Sequence, residues 1–170
     1  MPCSSAARAR RIASTPWLLP SLFLVGFVAS ARAQEAEARF INPPGLTTPS
    51  GYTHVVVAPD GRTVYIAGQV AFDSTGRVVG IGDFRAQLEQ VFANLRRALA
   101  SVGGSFADLV KTTTYVTDLG QVTAVREIRA RYLDPAHPPA NTLIPVSALA
   151  RPELMVEIEA VAVLRRAPPP

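Results

Sequence analysis

The sequence predicts an α+β domain, a mixed β-sheet with two helices on one face, in the order β-β-β-α-β-α-β-β. Three observations carry this. Apolar residues recur at three- and four-residue spacing in two stretches of the body of the chain, near residues 84–99 and 122–132. Runs rich in β-branched residues stand before, between and after them. Each helical stretch also links one strand to another, and strand–helix–strand units imply a partly parallel sheet with both helices on one side. The other sheet face is left bare. Apolar surface of that size marks a subunit contact, so a homo-oligomer is expected.

The elements follow in order. Residues 34–50 hold Pro43, Pro44, Gly45 and Pro49 with poor periodicity and read as a lead-in. Tyr52 to Ala58 reads as a strand, Pro59-Asp60-Gly61-Arg62 as a turn, and Thr63 to Ala67 as a second strand, together a β-hairpin. A short strand at Val70 to Phe72 precedes a turn at Asp73 to Gly76. Asp83 is placed to cap a helix whose stripe is Phe84, Leu88, Val91, Phe92, Leu95 and Leu99, ended by Gly103-Gly104. Leu109 to Thr117 is a strand with Val110, Thr112, Thr114 and Val116 on one face. A second helix, Gly120 to Leu133, carries Val122, Val125, Ile128 and Tyr132. Strands at Thr142 to Ser147 and Met155 to Val163, split by a turn at Ala150 to Glu153, close the domain over residues 51–164, and 165–170 form a frayed tail.

The first 33 residues read as an export signal. Arg8, Arg10 and Arg11 precede an apolar run from Trp17 to Ala29, and Ala31-Arg32-Ala33 offers small residues for cleavage. The run is shorter than the roughly 18 residues of a spanning helix, and Pro20 interrupts it, so no lasting membrane anchor is expected. The expected location is periplasmic or secreted. Without Arg8, Arg10, Arg11 and Arg32, 13 basic residues face 13 acidic ones, so the mature chain is neutral and nothing points to nucleic acid. Cys3 leaves with the signal, which excludes disulfides, thiolate nucleophiles and cysteine metal sites.

Glu157 and Glu159 are the candidates for chemistry. They alternate with Val156 and Ile158 on one strand face, where an unpaired carboxylate is costly. Glu157 reads as a general base or water-orienting residue, or else as half of an intersubunit ion pair. Glu159, about 7 Å further along, reads as structural with a functional alternative. Tyr52 is placed to line a cleft or fill an interface, and His54, two residues on, to face the same cleft. Neither His54 nor His137 has a carboxylate or second histidine at ligand spacing, so no metal is expected. Lys111 is a surface residue or a Schiff-base amine, and Gly80-Ile81-Gly82 lacks the rest of a dinucleotide fingerprint.

Gly51-Tyr52-Thr53-His54, residues 64–70 (VYIAGQV), Asn94-Leu95, residues 110–119 (VKTTTYVTDL) and residues 151–160 (RPELMVEIEA) resemble the RidA/YjgF family. The resemblance implies a chorismate-mutase-like (YjgF-type) homotrimer with clefts between subunits. It also implies cofactor-free hydrolysis of small reactive enamines and imines to keto acids and ammonia. Glu157 resembles the glutamate that positions water, Gly68 a backbone donor to a ligand oxygen, and Tyr52 the cleft aromatic.

The chain departs from that pattern in three places. Pro139-Ala140-Asn141 stands where the deaminating branch has Pro-Ala-Arg, Ala67 replaces a serine, and Arg126 falls where that branch has a cleft-facing asparagine. Arginine and asparagine have traded places, so Arg126 either enters the cleft while Asn141 takes the amide role, or is a solvated arginine beside Arg129 and Arg131. The expected function is RidA-like hydrolysis of small enamines or imines; the alternative is a non-catalytic trimer binding a small carboxylate in the same cleft.

Overall fold

Ten residues at the C-terminal end of the domain, Val156–Arg165, form the strand on which the sheet is assembled. The computed structural model describes Met1 and residues 37–165; the expected export signal over 1–33, and the tail beyond Arg165, lie outside the described residues. The elements are β1 (Arg39–Ile41), β2 (Val55–Val57), β3 (Gly61–Gln69), α1 (Phe84–Ala100), β4 (Leu109–Val116), α2 (Val122–Arg129), β5 (Ala140–Pro145) and β6 (Val156–Arg165). Short 3-10 turns precede β4 and α2. Four strands form one sheet in the order β3-β6-β4-β5, and β1 pairs with β2 in a separate two-stranded sheet.

β6 runs antiparallel to both β3 and β4, and β4 is parallel to β5. So β3, β4 and β5 all run one way, and each crossover between them carries one helix. Alternation along β6 then sorts its side chains: Val156, Ile158, Ala160 and Ala162 are buried, while Glu157, Glu159 and Val161 point to the other face. Against the buried face pack Phe84, Leu88, Val91, Phe92, Leu95 and Leu99 of α1 and Ala124, Val125 and Ile128 of α2. That is the stripe expected for α1, capped at Asp83, whose Oδ1 accepts from the Ala86 N–H at 3.0 Å.

Gln87 is the polar exception in this layer. It is fully buried on α1, its Nε2 donates to the carbonyls of Gly80 (3.2 Å) and Glu153 (2.7 Å), and its Oε1 accepts from the Met155 N–H at 2.8 Å. These bonds pin the loops on either side of the helix where backbone groups would otherwise go unpaired.

Several sequence expectations need correction. The hairpin of Tyr52–Ala58 with Thr63–Ala67 does not form. β2 pairs with β1, inside the stretch read as a lead-in, while β3 pairs with β6 from Gly61 to Gln69. A turn signal is local, and the longer ladder on β6 outweighs it. Val70–Phe72 contributes one bridge, Phe72 to Val78, around the expected turn at Asp73–Gly76. On β4 the core face begins at Leu109 instead of Val110. A register shift against β6 between Leu109 and Lys111 reverses the alternation there. The second helix is shorter than expected, with Tyr132 beyond its end, stacked on Phe92 with centroids 4.5 Å apart.

Candidate functional site

The open sheet face carries one half of the candidate site. Ile66 pairs with Ala160 and Gln69 with Ile158, so Ala67 and Gly68 together face the single residue Glu159, a bulge in β3. There the Glu157 carboxylate lies directly over Gly68, and a Cβ on Gly68 would come 2.7 Å from the Glu157 Cδ. Only a residue without a side chain lets the carboxylate sit so close to the backbone. Glu157 is half-buried on this face, and Val156 and Ile158, which sequence reading placed around it, point the opposite way.

Glu159 is exposed next to it. The Tyr115 hydroxyl donates to its Oε1 at 3.3 Å, and Lys111 lies nearby with its Nζ 2.5 Å from the Thr142 Oγ1. Burial, the charge and hydrogen bond of Glu159, and the charge of Glu157 raise the Tyr115 hydroxyl above its usual range. Burial also lowers the Lys111 amine, against the pull of Glu159. Tyr65, Ala67, Lys111, Thr113, Glu159 and Val161 line a shallow depression of about 430 Å³ on this face, where Tyr65 is 81% exposed.

The other half lies at the far sheet edge, between β5, α2 and the segment before β2. Thr53 is buried and holds that segment to β5. Its N–H donates to the Pro139 carbonyl at 3.4 Å, its hydroxyl donates to the Pro138 carbonyl at 2.7 Å, and it bridges Ala140 in parallel. Tyr52 is thereby brought beside Asn141. Ser50, Tyr52, Arg126, Arg129, Asn141 and Leu143 are among the walls of a cavity of about 240 Å³.

Asn141 has a fixed orientation. Its Oδ1 accepts from the Thr112 hydroxyl at 2.9 Å and, at 3.4 Å, from that of Thr114, both buried on the helix side of the sheet. With the oxygen so engaged, the amide N–H groups are what Asn141 has left to offer a ligand.

Arg129 lies deeper than Arg126. Its Nη2 donates to the Gly51 carbonyl, and burial draws its guanidinium down to about 10, still charged at neutral pH. Gly51 has φ +72°, a conformation that suits glycine and sets the carbonyl in place. Arg126 is exposed at the rim. Among the described residues neither arginine has a carboxylate within ion-pair distance. Nor is any group of three or more His, Cys, Asp or Glu arranged there to hold a metal, and no helix is long and apolar enough to cross a membrane.

The family profile described as Endoribonuclease L-PSP matches residues 45–164. The chain belongs to the RidA/YjgF/RutC family. It is 35% identical to a RutC family protein of Synechocystis, over 74% of this chain and 96% of the relative. It is 38% identical to Protein DfrA of Myxococcus xanthus, over 66% of this chain and 84% of that one. Among solved structures it is similar to the Rid-family protein YyfB of Yersinia pestis, with TM-score 0.71 and 41% identity, covering 76% of this chain and all of the other. It is also similar to RidA of an Antarctic Psychrobacter, with TM-score 0.57 and 32% identity over 69% and 97% of the two chains. The α+β fold with two helices on a mixed sheet is the one these relatives share.

Set in this RidA-family fold, the sequence-selected residues divide. Tyr52, Arg126 and Asn141 meet at one cavity, and Gly68 and Glu157 touch each other on the opposite face. Glu157 pairs with Tyr115 and Tyr115 with Ile144, three residues beyond Asn141 on β5. Two strand spacings and three residues put the two halves about 14 Å apart. His54 is outside the cavity wall: its Nε2 lies 2.8 Å from the Thr47 carbonyl, and its ring meets the edge of Tyr52. Glu159 lies with Glu157 but bonds Tyr115. Sequence reading named Arg129 only as a neighbour of Arg126 and gave it no role. The signal that would have found it is the three-residue spacing, which puts both on one helix face.

Proposed function

We propose that this protein is an exported, trimeric hydrolase of small 2-imino acids and their enamine tautomers, with each active site completed between two subunits. The carrying observation is the split of the candidate site: Arg126, Arg129 and Asn141 around a cavity at one sheet edge, the Glu157 carboxylate over Gly68 on the open face, and about 14 Å between them in one chain. A second copy seated on the open face with its β5–α2 edge inward brings the two halves together and covers Tyr65. The likeness to proteins named RidA and RutC family supports this reading. Residues 1–33, with their basic start, apolar run and Ala31-Arg32-Ala33, support export.

The chemistry needs no electron sink, because a protonated imine is already electrophilic. Arg129 and the Asn141 N–H groups hold the carboxylate, with Arg126 at the exposed rim of the same cavity. Glu157 accepts a proton from a water that attacks the C=N carbon, and the Gly68 bulge fixes its carboxylate. The resulting amino alcohol takes up that proton on nitrogen and expels ammonia as its hydroxyl proton passes to the Glu157 carboxylate, leaving the 2-keto acid; that proton then leaves with the ammonia as ammonium, and one water is consumed per ammonium released.

The test is the hydrolysis of freshly generated 2-imino acids by the purified protein. Glu157→Gln is expected to lose roughly two to four orders of magnitude in turnover. Mixing Glu157→Gln with Arg129→Gln, each impaired alone, restores activity if the halves come from different subunits; random trimers make about a quarter of the clefts intact. No recovery in mixed assemblies would remove the shared site. A second reading, a carboxylate-binding trimer without turnover, is favoured by Asn141 in place of the arginine and Ala67 in place of the serine. Saturable binding with no product would establish it.

A further inference from the structure

The cavity at the sheet edge has an unbalanced charge. Arg126 and Arg129 line it, and its remaining walls, from Ser50 and Tyr52 to Val122, Val125, Asn141 and Leu143, contain no acid. Nearby carboxylates are engaged elsewhere. Glu127 pairs with Arg85 at 2.6 Å. Asp134 lines a smaller cavity, about 60 Å³, that also includes Arg126 and Arg129, but it accepts from the Ala136 N–H at 2.9 Å and pairs with the His137 ring at 2.9 Å. Among the described residues Arg129 donates to the neutral Gly51 carbonyl and to no acid, although the guanidinium is desolvated enough to weaken its hold on its proton. A partly buried cation without an acidic partner gains from a bound anion.

The donors are also arranged at two depths. Arg129 and the Asn141 N–H groups are at the floor, Arg126 is exposed at the rim, and on the helix the Cβ atoms of residues three apart are about 5–6 Å from each other. A single carboxylate beside Arg129 would leave Arg126, at the rim of the same acid-free cavity, open to a second one. The geometry points to a short dicarboxylate as the ligand of this cavity, one carboxylate held by Arg129 and Asn141 and the second by Arg126. The substrate class is then the 2-imino acid of a dicarboxylic amino acid, which an oxidase or dehydrogenase acting on such amino acids would supply. This rests on the reading that the cavity holds the carboxylate of the substrate.

Unreactive ligands test it without turnover, so failure here and failure of the hydrolase reading are told apart. Isothermal titration of the purified full chain with succinate, propionate and inorganic phosphate compares wild type with Arg126→Gln, Arg129→Gln and Arg129→Lys. Wild type is expected to bind succinate roughly tenfold or more tightly than propionate, the gain of one further charge-assisted contact. Arg126→Gln should erase that preference and leave propionate binding within about twofold. Arg129→Gln should weaken both ligands. If it does not fold, Arg129→Lys keeps the charge and loses the fork geometry, and it too should weaken both. Equal affinity for succinate and propionate, or a preference that survives Arg126→Gln, overturns the proposal. Phosphate binding more tightly than succinate also overturns it, in favour of a phosphorylated ligand.

Discussion

The two faces of the sheet are built by the same strands and solve opposite problems. On the helix side, Val156, Ile158, Ala160 and Ala162 of β6 meet the stripes of α1 and α2 and are almost wholly buried. One residue along in each case, Glu157, Glu159 and Val161 look onto a face that no described helix covers, beside Lys111, Thr113 and Tyr115. The covered face is where the domain gets its stability. The open face is where it keeps charged groups that are costly to bury. Alternation of two residues is enough to make one strand serve both.

The largest effect expected from breaking this contrast is on the covered face. Ile158→Ala should lower unfolding free energy by about 2–5 kcal/mol in chemical denaturation, because a cavity opens between β6 and the helices. Glu159→Gln, its neighbour on the open face, should change it by less than about 1 kcal/mol. A comparable loss for both would mean that the faces are not distinct in energy. Gln87→Leu comes next, at roughly 2–3 kcal/mol, since it strands the carbonyls of Gly80 and Glu153 and the Met155 N–H.

Two further variants sharpen the comparison on the open face. Gly68→Ala displaces the carboxylate of Glu157, the flexible end of a side chain, so stability should stay within about 1 kcal/mol while hydrolytic turnover drops. A fall in stability without a change in turnover would separate Gly68 from the chemistry. Lys111→Met should give the smallest effect and is read by its pH dependence. Burial lowers the folded-state pKa of Lys111, so between that value and its ordinary value the unfolded chain holds more protons, and wild-type stability rises with pH in that window. Thermal melts should therefore show Lys111→Met as the more stable protein at neutral pH, with the difference shrinking as pH climbs through the lysine range.

Much of the framework was legible from local pattern. The α1 stripe, the Asp83 cap, the alternation that sets Glu157 and Glu159 on one face, and the parallel crossovers rest on periodicities of a few residues. The candidate site was legible in pieces. Tyr52, Arg126 and Asn141 lie within reach of one cavity, and Gly68 lies under Glu157, but nothing in the order of residues indicated that these two sets are on opposite faces.

By itself, then, the sequence determined the element types, the helix faces and the α+β class, because each depends on whether neighbouring side chains can be buried together at a fixed period. Tertiary structure decided which strand pairs with which: β3 turns to β6, about a hundred residues away, where the ladder is longer, and β2 is left to pair with β1. It also decided that Arg129 is a floor residue and not a solvated one. Its hydrogen-bond partner, the Gly51 carbonyl, is 78 positions earlier in the chain, and no local pattern reports a partly buried environment assembled across that distance.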